Sequence, residues 1–318
     1  MNFWINGLEI KKIYPSIVLP TMRFGIVVSD RDDWTARAML SSFHQAGVDA
    51  VFIDLSDLTA SVGGDLRLAC GGHDLLDMDG LVIRDMGRGG TPQDVAFRFE
   101  VLRSLGDLGL PVVNPPEAIA GAANKFSTSF ALQRVGIPTP RTTVTSSLKE
   151  ALMALEKYER GVSKPLFGYK GKGIEFITEE EGLRAVLRFQ GIIYLQELVP
   201  MEEPRDIRAF VVGDDLMGAI YRVAQPGQWI SNLARGGRAQ PCAITEELRD
   251  LAVRASRALG AVYSGVDLLE TTEGLKVIEV NGTPSGRGIF EAMEVDVTRA
   301  IASEVIRRVQ GQRQPSRH

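Results

Sequence analysis

Residues 265–282 read GVDLLETTEGLKVIEVNG, two apolar runs on either side of TTEG, and this stretch sets how the second half of the chain is read. A turn at TTEG folds the runs into a hairpin. Asp267 and Glu279 lie equally far from Glu273, so the pairing sets the two carboxylates opposite each other. Side chains two apart on a strand share a face, which adds Asn281 to the patch. Three oxygen ligands there suit Mg²⁺, a hard cation usually held by one or two carboxylates together with substrate phosphates. Alone, such a hairpin reads equally well as a solvent-facing edge. These acids, however, interrupt nearly continuous apolar runs, where an unpaired buried carboxylate is costly.

Upstream lie the other parts of one site. Lys164 in VSKPLFG sits on an apolar strand, where it can hold a phosphate as a point charge. The glycine loop GYKGKG over 168–173 follows, and Gly171 and Gly173 can bring backbone N–H groups over phosphates as a lid. The strand IIYLQELVP turns polar at Gln196 and Glu197 and stops at Pro200; its end can meet an adenine edge, with Leu198 and Val199 as apolar walls. In PRDIRAFVVG, Asp206 and Arg208 share a face, and WISNLARGG adds Asn232 and Arg235, so these groups can converge on ribose and phosphates. Each signal singly also reads as a surface loop, strand end or salt-bridged strand. Their order along the chain, each supplying a different part of an ATP–magnesium site, is what decides.

The first half reads as an open α/β unit: strand FGIVVSD, helix 34–46, strand AVFIDL, strand DGLVIRD, helix 93–108 and strand LPVVN. Ligands gather at the carboxyl ends of such strands, where Arg84 and Arg88 are candidates for an anionic substrate. A single helical stretch follows from Pro115 to Gly136, then helix 147–159, helix 179–189 and helix 245–259 among short strands. The expected division is an N-terminal extension 1–22, an α/β domain 23–120, a central lobe 121–198, a C-terminal lobe 199–308 and a disordered tail 309–318.

At 318 residues, 44% hydrophobic and 24% charged, the chain supports two or three compact units. A formal charge of −4 and the lack of a long basic block argue against nucleic acid. No window approaches the roughly 20 apolar residues of a membrane span. Two cysteines, Cys70 and Cys242, are too few for a disulfide framework and fit a reducing compartment, with the cytoplasm expected. The glycine spacing matches neither G-x-x-x-x-G-K-[ST] nor a helix-opening G-x-G-x-x-G. His44, His73 and His318 form no catalytic constellation.

In the order and spacing of these motifs, from about Val82 to Ser303, the chain resembles the ATP-grasp superfamily and, within it, the ribosomal-protein-type α-L-glutamate ligases. The resemblance implies an α/β fold in which an N-terminal lobe precedes two α+β lobes that clasp ATP. It implies that Lys125, in NKFSTSFAL, and Lys164 contact ATP phosphates, and that Glu197, Leu198 and Asp206 hold adenine and ribose. Asp267, Glu279 and Asn281 match its magnesium ligands, with two Mg²⁺ ions expected and Mn²⁺ as a substitute. SNLARGG matches the family's SNLxRGG, which places Asn232 and Arg235 beside the terminal phosphate, with Arg208 also catalytic. Ile230 stands where many relatives carry arginine, and EVNGTPSGRGIFEAMEVDV departs from the commoner EVNxSPGLEGIE in a way reminiscent of relatives that glutamylate pterin or deazaflavin cofactors.

The implied activity is a carboxylate–amine ligase working through an acyl phosphate, adding glutamate or a similar amino acid to a small-molecule or peptide carboxylate, in a homo-oligomer as relatives commonly are. A kinase-like phosphotransferase on the same scaffold and a non-catalytic nucleotide-binding regulator are the competing readings.

Overall fold

The computed structural model describes residues 4–5, 8–9, 22–87, 89–168, 173–201, 203–225 and 237–313. In the N-terminal lobe four parallel strands run in the order Asp49–Ile53, Arg23–Val27, Gly80–Ile83, Val112–Val113. Their apolar runs need cover on both faces, as parallel sheets do. Helices Trp34–Gln45 and Pro92–Asp107 join them; Asp33 caps the first, and Thr91 with Asp94 forms a capping box on the second. Residues 59–74, to which the sequence assigns no element, form a small antiparallel sheet.

The helix expected from 115 to 136 is two helices, Pro116–Ala123 and Lys125–Arg134. Asn124 breaks it: its backbone is extended, and its side chain accepts from the N–H groups of Phe126 and Ser127, so it starts the second helix instead of continuing the first. The break lets the Lys125 N–H donate to the Leu166 carbonyl at 3.0 Å, tying this helix start to the residues before the glycine loop.

The central lobe is an antiparallel sheet in the order Thr142–Thr145, Ile193–Glu197, Gly161–Lys164, Glu175–Ile177. Helices Leu148–Tyr158 and Glu180–Gln190 bury one face around Ala151, Leu155, Leu183, Ile193 and Leu195. The C-terminal sheet runs Arg238–Pro241, Asp215–Val223, Arg205–Val212, Tyr263–Thr271, Gly274–Asn281, all antiparallel. Helix Glu246–Ala258 covers its face at Ala209, Val266, Leu268, Val277 and Val280.

Phe210, Val212, Ile220 and Tyr263 pack instead with the last helix, Val297–Arg313, and with Phe24, Ile26, Met39 and Phe43 of the N-terminal lobe. The first and last lobes therefore share one core, whereas the pattern along the chain predicts three lobes in series. The expected boundary at residue 120 falls inside helix Pro116–Ala123, and the last helix continues to Arg313, into the segment expected as a tail. No helix among the described residues is long and apolar enough to cross a membrane.

Asn114, fully buried, stitches the two lobes. Its Nδ2 donates to the carbonyls of Tyr263 at 2.7 Å and Gly282 at 2.5 Å, and its Oδ1 accepts from Val262 N at 2.6 Å and Tyr263 N at 3.1 Å. Both donors and both lone pairs of the amide are used. Replacing it orphans buried backbone groups worth roughly 1–3 kcal/mol each, so Asn114→Ala should lower unfolding stability by about 3 kcal/mol in urea titrations. A loss below about 1 kcal/mol would contradict this role.

Candidate functional site

Strands Tyr263–Thr271 and Gly274–Asn281 pair Thr271 with Gly274 and Leu268 with Val277, a register that continued unbroken would set Asp267 against Ile278. A bulge intervenes, and Asp267 instead faces Glu279, as the sequence predicts. The extra residue also reverses the alternation of faces. Val277 and Val280, three apart, both enter the core, so Glu279 and Asn281 turn to the side that carries Asp267.

On that face the charges form a ladder across three strands. Arg208 lies directly opposite Asp267 and binds it with two N–H groups, Nε to Oδ1 and Nη2 to Oδ2 at 2.9 Å. Arg222 lies opposite Asp206, reaches both its oxygens at 2.6 Å and reaches Asp267 Oδ2 at 2.8 Å. Asp267 is 3% exposed. Burial alone would raise its pKa, but Arg208 and Arg222 outweigh it and hold the carboxyl below the ordinary range. Burial alone would lower that of Arg222; Asp267 and Asp206 reverse this and hold it above its ordinary value.

One expected contact is engaged elsewhere. Asp206, expected at the ribose, is buried and gives both oxygens to Arg222, so its place is behind the site. Arg222 was legible only as a charged residue inside LMGAIYRVA, and its partner follows from the hairpin register, which the sequence does not print.

Beside this face, Lys125 is buried with Nζ 3.5 Å from Glu279 Oε1. Lys164 donates to Gln196 Oε1 at 2.7 Å. Burial, reinforced by Lys125 and opposed by Glu279, lowers its pKa to about 8. Gln196, expected to touch the nucleotide, is 4% exposed and bonds Thr142 and Tyr194, so it brackets Lys164 from within the sheet. The N–H groups of Glu197 and Leu198 donate to the carbonyls of Arg141 and Arg160, and the Glu197 carboxylate accepts from Arg141, so these groups are already engaged where an adenine edge is expected. On the cleft-facing side of this sheet Val162 stands beside Gln196 and Phe176, and half-exposed Phe176 offers an aromatic wall that the sequence reading did not single out.

Gly173 has φ +70°, and a Cβ on it would lie 2.9 Å from Pro165 Cγ, so glycine is required there. Gly171, Asn232, Arg235 and Arg88 lie outside the described residues. Arg84, expected beside an anionic substrate, is engaged within the protein. It is 7% exposed, with Nη1 on the Pro284 carbonyl at 2.8 Å and Nε 3.4 Å from Asp33, and so holds loop 282–286 against the N-terminal lobe. Two open surface hollows, one beside Arg37, His44 and Phe52 and one beside Leu152, Met153 and Glu156, contain none of these groups.

Four cations, Lys125, Lys164, Arg208 and Arg222, thus face three carboxylates, Asp206, Asp267 and Glu279, an excess of positive charge suited to phosphates. No group of three His, Cys, Asp or Glu among the described residues can hold a metal unaided. Asp267, Glu279 and Asn281 supply two carboxylates and an amide, a set that fits a hard cation completed by phosphate oxygens and water.

The RimK-like ATP-grasp domain model matches residues 122–306. The tetrahydromethanopterin:alpha-L-glutamate ligase of Methanosarcina acetivorans is 39% identical over 86% of this chain and 95% of its own length. The protein of the same name from Methanocaldococcus jannaschii is 37% identical over 91% and 99%. Among solved structures, the ATP-grasp ligase PsnB with its minimal precursor superposes with TM-score 0.72 at 20% identity, covering 92% of this chain and 99% of that one. A RimK domain ATP-grasp protein from Sphaerobacter thermophilus gives 0.68 at 20% identity over 89% and 99%. At such identities the structures carry the fold alone.

The lowered pKa of Lys164 yields a signed pH dependence. Its ammonium is present below about pH 8 and lost above it. Metal-free ADP binding should therefore weaken as pH rises from 7.5 to 9.5, and Lys164→Arg, charged throughout, should flatten the curve. An equal slope in both proteins by titration calorimetry would remove Lys164 from the phosphate site.

Proposed function

The chain belongs to the RimK-like ATP-grasp family, and from that premise we propose that it is an ATP-dependent carbon–nitrogen ligase that adds L-glutamate to a carboxylate of a pterin-type cofactor. The observation that carries the reading is the convergence of four groups: Asp267 opposite Glu279, Lys125 3.5 Å from Glu279, and Lys164 near enough to interact with both carboxylates. Glutamate as the added amino acid and a pterin as acceptor rest on the names of relatives that this chain matches over most of their length.

Lys125 and Lys164 bind the phosphates as point charges, and Arg208 meets the terminal phosphate with its planar fork. An acceptor carboxylate, ionised at neutral pH, attacks the γ-phosphorus in line; the bond to the ADP oxygen breaks and an acyl phosphate forms without a protein base. The glutamate amine then attacks the acyl carbon, phosphate leaves and the amine loses a proton. When bound, Mg²⁺ neutralises charge on the phosphate oxygens, and Asp267, Glu279 and Asn281 would hold it. Two ions, with Mn²⁺ able to replace them, accord with the paired carboxylates. Asn232 and Arg235, by the match to SNLxRGG, serve the acyl phosphate. Loop 282–286, held by Arg84 and running beside Arg208, is positioned to meet the acceptor.

The test is mass spectrometry of reactions containing ATP, Mg²⁺, L-glutamate and tetrahydromethanopterin. The acceptor should gain one or more glutamyl units, with ADP formed only when acceptor and amino acid are both present. AMP as product would contradict the reading. A stable phosphorylated product formed without an amine would turn it toward the phosphotransferase alternative.

A further inference from the structure

Asp267 has two guanidinium partners, and the structure treats them differently. Arg208 stands at the cleft with its side chain 17% exposed, and Asp267 is its acidic partner among the described residues. Arg222, its side chain 8% exposed, is shared: two bonds of 2.6 Å go to Asp206 and one contact of 2.8 Å to Asp267. Withdrawing Arg222 would leave buried Asp206 without its guanidinium partner and Asp267 with Arg208 alone, whereas withdrawing Arg208 leaves both carboxylates on Arg222. Arg208 also engages both oxygens of Asp267, so a cation approaching that carboxylate from the side of Arg208 would have to displace it.

Resting on the reading of Asp267 as a metal ligand, we propose that the two arginines divide one carboxylate between them. Arg222 is a positioning residue, a fixed counter-ion that keeps Asp267 aimed into the cleft. Arg208 is a placeholder that occupies the metal-facing edge until a triphosphate draws it away. Gly265 makes the exchange sterically feasible. A Cβ there would lie 3.0 Å from Arg208 Cδ and 2.9 Å from Pro284 Cβ, so any larger residue would crowd the path between them. The site would then accept metal together with nucleotide and resist metal alone.

The test uses the full chain and two readouts other than turnover. In calorimetry, the gain in ADP affinity produced by Mg²⁺ should fall at least tenfold in Arg222→Lys, whose ammonium cannot fork between two carboxylates, while metal-free ADP affinity changes less than twofold. The charge-matched double variant Arg222→Met/Asp206→Asn should behave alike. In Mn²⁺ binding followed by electron paramagnetic resonance without nucleotide, Arg208→Ala should bind at least fivefold more tightly than wild type. That arm stands even if the Arg222 variants fail to fold. A retained Mg²⁺ gain in folded Arg222→Lys, an equal loss of both ADP affinities, or unchanged Mn²⁺ binding in Arg208→Ala would overturn the proposal. A wild-type chain that gains nothing from Mg²⁺ would instead sink the ligase reading beneath it.

Discussion

Ile278, the one extra residue in strand Gly274–Asn281, decides which way the acidic side chains of the last hairpin face. A strand alternates sides with period two, and a bulge shifts that phase by one. Before the bulge Val277 enters the core; after it Val280 does, and Glu279 and Asn281 turn toward Asp267. In an unbulged register Glu279 would share the core face with Val277, where an unpaired carboxylate is strongly unfavourable. The local irregularity therefore lets one strand serve as both core and ligand wall.

The charges gathered by that geometry need company. Asp206 and Asp267 are each less than a tenth exposed; Arg222 bonds both, and Arg208 forks onto Asp267, so each buried carboxylate has a guanidinium partner. Arginine suits the task because its fork can satisfy two carboxylates at fixed angles. Behind the ladder, the shared core of the first and last lobes and the four bonds of Asn114 fix loop 282–286 and the start of strand Tyr263–Thr271 relative to the N-terminal sheet. The central lobe has its own core, while helix Lys125–Arg134 packs through Leu132 on the core of the C-terminal sheet; between the two lie the Lys125 N–H on the Leu166 carbonyl at 3.0 Å and Lys276 with Glu197 at 3.9 Å.

Much of this was legible in the sequence because periodicity reports burial. The apolar runs of the parallel sheet, the alternation in 205–223 and the opposition of Asp267 to Glu279 could be read directly, although the last holds through a bulge and not through symmetry about Glu273. What stayed hidden depended on pairing between distant segments. The partner of Asp206 is Arg222, sixteen residues on, and its identity requires the hairpin register. The burial of Arg84 beneath Pro284, two hundred residues away, leaves no local trace, so a loop arginine read as substrate-facing is an inter-lobe strut. Asn124 was missed as a helix break because its capping role overrides an otherwise continuous helical pattern.

The central claim is that a single metal-bound triphosphate lies between Lys125 and Lys164 on one side and Asp267 and Glu279 on the other. A crystal structure with Mg²⁺ and a non-hydrolysable ATP analogue tests it most directly. The account predicts a cation about 2.0–2.1 Å from oxygens of Asp267 and Glu279, bridged to phosphate oxygens that also contact both lysines. A nucleotide bound outside this cleft, or a cation that touches neither carboxylate, would contradict it.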